Sequence, residues 1–261
     1  MSQDPNCLNC NENIIGKFCY NCGQKTDTHR ITLKHFLFHD ILHGIWHVEK
    51  GILFTIKEAI TRPGQAALDY ISGKRIKYYN VFYLVLLLIG LNVILSDFYE
   101  YLLDTYFKDK YANIKSTTEN KANTEFFNNY FKLIIFGIVP VLAINSFIIF
   151  KRKKFNFSEH LIIAGIVLLG IMILTTIGQF IDFFDIFFTF STVDITNILI
   201  PFSIVTYVVI SYFNIIKKEY SKTLSFFLIL LFLLLLFLEL FLIIRGIKYV
   251  YTTFIPIITN I

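Results

Sequence analysis

Residues 224–244 read LSFFLILLFLLLLFLELFLII, an apolar run in which Glu239 carries the single charge. A helix of this length reaches across the hydrocarbon core of a bilayer, which is about 30 Å thick. Four further runs of this kind are Tyr78–Leu95, Leu133–Phe150, Leu161–Ile181 and Ile195–Ile216. Of 261 residues, 55% are hydrophobic and 16% are charged, a balance that excludes an ordinary soluble domain. The sequence therefore predicts an all-α membrane protein in which residues 78–261 form a five-helix transmembrane bundle.

The basic residues of the short loops predict the direction in which these helices cross. Lys and Arg precede the first run, fill residues 151–154 (KRKK) and return at residues 217–222, whereas residues 182–194 contain Asp and neither Lys nor Arg. Loops rich in Lys and Arg stay on the cytoplasmic side of a membrane. We therefore expect a multi-pass protein with its N-terminus in the cytoplasm and its C-terminus outside.

The cysteines of the chain form one CxxC-x8-CxxC cluster near its start. They are Cys7, Cys10, Cys19 and Cys22. Pairs of thiolates separated by two residues are typical ligands of tetrahedral zinc, and Gly16 and Gly23 suit the tight turns that such a site needs. We predict a zinc ribbon over residues 1–28. Because four thiolates close the coordination shell, the zinc would be structural.

Two alternatives to zinc stay open. Two disulfide bonds are disfavoured, because residues 1–13 are polar and carry no secretory signal, and cytosolic cysteine clusters more often bind metal. Iron is the other metal that tetrahedral thiolate sites accept. With either metal, a segment this short cannot build a hydrophobic core, so the metal would supply most of its folding free energy.

Residues 29–77 are predicted to form cytosolic juxtamembrane helices. Residues 31–60 read ITLKHFLFHDILHGIWHVEKGILFTIKEAI, where apolar positions recur with helical period up to a break near Gly51. Trp46 lies at the edge of the apolar face, as expected at a lipid headgroup boundary. We expect this amphipathic helix to lie flat on the inner leaflet. The alternative is the core helix of a soluble subdomain.

Four of the six histidines lie on the amphipathic segment at intervals of four residues. They are His35, His39, His43 and His47. Histidines at i and i+4 share one side of a helix and can chelate a metal, and histidine also titrates near neutral pH. The row is therefore a candidate second metal site or pH sensor. The alternative is a polar helix face with no special role.

A turn and a basic stretch connect this segment to the first membrane run. Residues 61–64 (TRPG) break the helix, and residues 65–72 restart one that Gly73 ends. Lys74, Arg75 and Lys77 would then contact anionic lipid headgroups, either as a specific site or simply as an anchor.

The head FCYNCGQ, the histidine-bearing segment, the RPG turn and the stretch YISGKR together resemble an uncharacterised bacterial membrane family, domain of unknown function 3667. The resemblance covers about the first 90 residues and implies no established activity. It implies a bacterial cytoplasmic (inner) membrane location. In topology alone the chain is also similar to Yip1-type proteins, which place a cytosolic N-terminus before five spans.

Polar residues inside a membrane are functional candidates, and Glu239 is the charged residue of the fifth run. We place it in the outer half of that helix, where Asn92, Asn145 or Gln179 could hydrogen-bond to it. It is either a proton or cation site of a transporter or a neutral acid that joins two helices.

The sequence contains no nucleotide-binding glycine loop and no nucleophile motif, so we predict no enzymatic activity. The leading function is an inner-membrane scaffold or adaptor that binds membrane lipids and, through the zinc ribbon, a cytosolic protein or a second copy of the chain. Too few basic residues lie near the ribbon for nucleic acid. The alternatives are a small transporter or channel using Glu239 and a metal-dependent membrane enzyme using the histidine row.

Overall fold

The computed structural model describes residues 6–26, 51–106, 135, 137–187 and 192–258. Within that part of the chain, seven α-helices form. They are α1 Ile52–Thr61, α2 Pro63–Ile71, α3 Val81–Tyr106, α4 Gly137–Ile149, α5 Phe157–Phe187, α6 Thr192–Ile216 and α7 Lys222–Ile258. A short 3-10 turn, Lys151–Lys153, connects α4 to α5. Among the described residues, β-structure is limited to two isolated antiparallel bridges in the cysteine segment.

Four of the helices are long and apolar enough to cross a membrane. The spans are Val81–Leu103, Phe157–Phe184, Thr196–Ile216 and Lys222–Gly246. They confirm four of the predicted membrane runs. The remaining run, Leu133–Phe150, is described as the shorter apolar helix α4, and its first residues lie outside the described part of the chain.

Contacts between side chains show that α3 and α5 run in the same direction. The Asn92 amide donates to the Thr176 hydroxyl over 2.8 Å, and further along both helices the ring of Phe98 lies 5.9 Å from that of Phe183. Because residue numbers rise together in these two contacts, α3 and α5 run parallel.

The next helix, α6, runs antiparallel to α5. The Thr196 hydroxyl donates to Asp182 over 2.5 Å at one end of the pair, and Tyr207 packs against Gly170 nearer the other end. A Cβ on Gly170 would lie 2.0 Å from the Tyr207 hydroxyl oxygen. The absence of a side chain at Gly170 therefore leaves the room in which the Tyr207 ring packs against α5.

Helices α4 and α7 are antiparallel to each other. The ring of Phe150, which follows α4, lies 5.6 Å from that of Phe232, and Asn145 contacts Glu239 one heptad further along α7. The turns at residues 151–154 and 217–221 also meet, since Lys153 lies 3.3 Å from Glu219. We call this end of the bundle, with its Lys and Arg residues, the basic end.

Helix α5 is the centre of the bundle and contacts α1, α2, α3 and α6. Its first turn begins at the basic end with a reciprocal cap. The Asn156 side chain accepts from the Glu159 backbone N–H over 2.9 Å, and the Glu159 carboxylate accepts from the Asn156 backbone N–H over 2.8 Å. Fully buried aliphatic residues such as Val167 and Leu169 follow, and they pack against the neighbouring helices.

Helices α1 and α2 form a hairpin that packs on α5 and α6. The Tyr207 hydroxyl donates to the Ala59 carbonyl of α1 over 2.7 Å. In α2, a Cβ on Gly64 would lie 2.7 Å from the Ser211 carbonyl of α6. The described end of the predicted interfacial helix, α1, is thus packed against protein. Residues 31–50 of that predicted helix lie outside the described residues.

Candidate functional site

The first cysteine pair lies in a tight turn closed by backbone hydrogen bonds. The Cys7 N–H donates to the Glu12 carbonyl over 2.7 Å, and the Asn11 N–H donates to the Cys7 carbonyl over 2.8 Å. Asn11 has a φ of 61°, a left-handed conformation that asparagine adopts more easily than most residues.

The second cysteine pair repeats this turn twelve positions later. The Cys19 N–H donates to the Gln24 carbonyl and the Gly23 N–H to the Cys19 carbonyl, both over 2.8 Å. Gly23 occupies the left-handed position with a φ of 77°. The predicted requirement for glycine therefore applies to this turn, whereas Gly16 has a negative φ. The two turns face each other, and we call residues 6–26 the cysteine head.

The four sulfur atoms lie within 4.8 Å of one another. Cys7 and Cys22 are separated by 3.5 Å between sulfurs, and so are Cys10 and Cys19. Tetrahedral zinc with bonds of about 2.3 Å places its sulfur ligands about 3.8 Å apart, so the cluster has the size such a metal requires. All four cysteines are free thiols. The four cysteines of the predicted cluster thus lie close enough together to hold a metal ion.

The thiols differ in their readiness to ionise. Burial raises the pKa of Cys22, but hydrogen bonds from the Gln24 backbone and the Asn9 side chain, together with neighbouring sulfurs, outweigh it and lower that pKa to about 7. A backbone hydrogen bond at Glu12 lowers the pKa of Cys10, but burial and the other three sulfurs raise it to about 11. A thiolate at Cys22 is therefore favoured over one at Cys10.

Gln24 attaches the cysteine head to the helical part of the protein. Its side-chain amide donates to the Gly73 carbonyl over 2.8 Å, and its side-chain oxygen accepts from the Arg75 backbone N–H over 3.3 Å. The glutamine is buried, and Gly73 has a φ of 98° that suits glycine. Sequence reasoning missed this contact, because a glutamine beside a cysteine pair gives no sign of what it will meet.

The helical hairpin contains a partly buried ion pair. Glu58 in α1 is 5% exposed and bonds to the guanidinium of Arg62, which ends that helix and is more exposed. The hydrogen bond with Glu58 raises the pKa of Arg62. Tyr78 lies beside this pair, and burial, together with the charges of Asp69 and Glu58, raises its pKa. The sequence singled out Arg62 in the RPG turn but not its partner.

The predicted headgroup-binding residues follow α2. Lys74 lies 3.2 Å from the Asp69 carboxylate, and the Arg75 side chain donates to the Tyr70 carbonyl over 3.2 Å while stacking on the Tyr70 ring. Lys77 is exposed. Two of the three basic groups are thus engaged within the hairpin, and contact of the three with lipid stays a prediction.

Glu239 accepts a hydrogen bond from the Asn145 side chain over 2.6 Å. Asn145 is buried one turn before the end of α4, so this contact joins α4 to α7. Of the three expected partners of Glu239, Asn145 is the one that bonds to it.

Asn92 and Gln179, the other two expected partners of Glu239, bond elsewhere. Asn92 donates to Thr176, and the Gln179 amide donates to the Asn92 carbonyl over 3.3 Å. They form a separate polar contact between α3 and α5.

A second buried polar pair joins α4 to α5 beside Asn145. The Ser146 hydroxyl lies 2.8 Å from Nδ1 of His160, and both residues are buried. The rings of Phe147 and Phe155 pack edge-on against the imidazole. Nothing in the sequence indicated this contact, because the partner of His160 lies on another helix. The histidine row, His35, His39, His43 and His47, lies outside the described residues.

Helices α1 and α2 and the first part of α3 are the region shared with a known family. Residues 49–91 match the model of the family described as Protein of unknown function (DUF3667). The match confirms the family resemblance of the sequence, and it includes the RPG turn and the YISGKR stretch. The cysteine head and α4 to α7 lie outside the matched residues. No curated protein and no solved structure matches the chain.

Proposed function

We propose that this protein is a non-catalytic membrane scaffold or adaptor that presents a structural zinc ribbon to a cytosolic protein partner. The observation that carries the proposal is a head with a closed four-sulfur cluster, fixed to the helical part through Gln24. A site in which four thiolates fill the shell has no position for a reacting water or substrate. Such a head serves as a rigid surface.

That surface has the side chains that protein partners recognise. Ile15 is 92% exposed, Phe18 56% and Tyr20 72%, although the head has few residues. Large apolar and aromatic groups exposed together on a rigid module are typical of binding surfaces, where aromatic residues contribute most of the binding energy. A second copy of the chain is the other partner that this surface would fit.

The direction of the helices supports five membrane crossings. Because α3 and α5 are parallel, a chain that crosses with α3 must return before α5 begins, and α4 is the helix that the structure describes between them. Five alternating crossings place the basic end and the cysteine head on the cytoplasmic side and the C-terminus outside. In the bacterial inner membrane this keeps the thiols in a reducing compartment.

Capture of the partner by the full-length protein tests the scaffold proposal. Changing Ile15 and Phe18 together to Ser should abolish co-purification of a cytosolic protein while the metal content is unchanged. Leu53→Ser is the matched control, since Leu53 is 80% exposed but lies on α1. Equal capture by all three proteins would contradict a role for the head surface.

Metal analysis separates the scaffold from a metal-dependent enzyme that uses the histidine row. We expect one zinc per chain. Finding iron instead would correct the identity of the metal. Changing His39 and His43 together to Gln should leave the metal content at one. A second metal that disappears in this variant would favour the enzyme.

The contact between Asn145 and Glu239 favours a second candidate, a small transporter or channel. A carboxyl group bound to a neutral amide inside a helical bundle can take up and release a proton or cation, although it can also simply join α4 to α7. Glu239→Gln keeps the shape and removes the charge. Ion or proton flux in proteoliposomes that is lost in Glu239→Gln would support a transport function. Absence of flux with the unchanged protein would rule that function out.

A further inference from the structure

Gln24 belongs at once to the cysteine head and to the turn that follows α2. Its backbone carbonyl accepts from the Cys19 N–H over 2.8 Å, so the residue is part of the second cysteine turn. Its side chain points out of the head, donating to the Gly73 carbonyl over 2.8 Å and accepting from the Arg75 N–H over 3.3 Å. Because Gln24 is 4% exposed, these hydrogen bonds lie in a region of low dielectric, where they are stronger than at an open surface.

The side-chain amide of Gln24 bridges the two ends of one tight turn. Within residues 73–75, the Arg75 N–H also donates to the Gly73 carbonyl over 3.0 Å, which closes a γ-turn. The two groups that form this turn are the same two groups that Gln24 holds. Gly73 has a φ of 98°, a backbone conformation that other residues adopt only under strain. The shape of the turn therefore depends on a residue of the head.

We propose that Gln24 couples metal binding in the cysteine head to the structure of the turn at residues 73–75. A bound metal fixes Cys19 and Cys22 and, with them, the backbone from which Gln24 reaches the turn. Without the metal, the head has almost no apolar core to keep that shape, so the bridge is lost and the turn loosens. The proposal rests on the metal-binding head of the proposed function, but not on capture of a partner protein.

The turn that responds to the metal lies directly before the first membrane span. Residues 74–77 (KRIK) connect it to α3. Lys74 pairs with Asp69 over 3.2 Å. The Arg75 side chain donates to the Tyr70 carbonyl over 3.2 Å. Both basic groups are attached to the bridged backbone, so metal loss in the head changes how they are held beside the span. The inferred device is a metal-responsive juxtamembrane turn.

Amide exchange of the arginines, measured by NMR on the full-length protein in lipid nanodiscs, tests the coupling. The chain has five arginines, so labelling with 15N-arginine gives few signals, and replacement of Arg75 and of Arg62 by Lys assigns these two. Arg62 is the internal control, because its N–H donates to the Glu58 carbonyl of α1 over 2.9 Å. We expect a strong zinc chelator to accelerate exchange at Arg75 several-fold and to leave Arg62 unchanged.

Three results of this experiment would overturn the proposal. They are unchanged exchange at Arg75 after complete metal removal, equal acceleration at Arg62, and a purified protein whose head binds no metal. None of them depends on whether a cytosolic partner is captured, so failure of the coupling and failure of the scaffold are distinguished.

Gln24→Ala separates the bridge from a general loosening of the head. Exchange at Arg75 should already be fast in the metal-bound variant, and the chelator should accelerate it no further. Gln65→Ala is the matched control, since Gln65 is exposed and bonds to Asp69, and it should keep the full response to the chelator. A response of Arg75 that survives Gln24→Ala would overturn the assigned route.

Coupling between two sites is reciprocal, so disturbing the turn must weaken metal binding. Gly73→Ala strains the left-handed backbone of the turn without touching the cysteine head. We expect the metal affinity to fall several-fold in competition with a chromogenic chelator, although the site still fills when metal is in excess. Gly90→Ala is the control, because nothing lies within 4 Å of a Cβ there. Equal metal affinity of the two variants would contradict the coupling.

Discussion

The cysteine head and helix α5 are held in place by different physical means. In the head, the buried residues are Cys7, Cys19 and Gln24, and large apolar side chains are exposed. In α5, by contrast, 72% of the most apolar stretch of 18 residues is buried inside the protein. The head therefore has almost no apolar core, and we expect it to depend on a metal, whereas the bundle depends on packing between helices. Disturbing one region should leave the other largely intact.

The largest effect is expected from Cys19→Ser. Structural zinc contributes about 10–16 kcal/mol to the folding of small zinc-binding peptides, and a missing thiolate breaks the closed shell. We expect the metal content to fall to near zero and proteolysis within residues 6–26 to become rapid, while the helical content of the bundle is kept. Metal analysis with limited proteolysis provides the measurement. Loss of the whole helical signal would contradict the separation of the two regions.

The next largest effect is expected from Gly64→Leu in α2. A side chain there meets the Ser211 carbonyl at 2.7 Å and the Asn214 Cβ at 2.9 Å, so α2 must move away from α6. Overpacking of this kind costs about 1–3 kcal/mol and lowers the thermal stability of the bundle without metal loss.

Gly90→Leu is the control for this prediction, because nothing lies within 4 Å of a Cβ at Gly90. In detergent, the unchanged protein and Gly90→Leu should therefore unfold at similar temperatures. Gly64→Leu should unfold at a lower temperature than both. Equal stability of the two variants would contradict the close packing of the hairpin.

A smaller effect is expected from Gln24→Ala, which removes both hydrogen bonds between the head and residues 73–75. Their loss costs about 1–3 kcal/mol, and part of it comes from the Gly73 carbonyl left without its donor. The metal content should remain at its normal value, while hydrogen exchange at residue 75 accelerates. Gln65→Ala is the control, because Gln65 is an exposed residue that bonds to Asp69.

The smallest effect is expected from Gly23→Ala. The left-handed backbone at Gly23 is unfavourable for alanine by about 1–2 kcal/mol. Asn11→Gly, at the matching position of the first turn, should be neutral or weakly stabilising. Competition with a chromogenic chelator should show weaker metal binding for Gly23→Ala and unchanged binding for Asn11→Gly. Weaker binding for both would mean that the two turns are not equivalent.

Local patterns predicted the parts of this molecule in which one segment determines its own structure. The apolar runs gave four membrane helices at nearly the positions observed, and the cysteine spacing predicted a cluster that can hold a metal. Both depend on neighbouring residues alone. The RPG turn likewise predicted the end of α1 and the start of α2.

Contacts between distant segments could not be predicted in this way. Gln24 meets Gly73 across 49 positions of the chain, and His160 meets Ser146 on another helix. The amphipathic pattern of α1 is equally compatible with lipid and with protein, and only tertiary packing decides between them.

Hydrogen exchange of the full-length protein in nanodiscs, before and after a strong zinc chelator, tests the central claim most directly. We predict that the chelator makes residues 6–26 exchange rapidly and leaves the protection of α5 unchanged. Protection of the head that persists after complete metal removal, or a loss of protection that spreads through α5, would contradict the account.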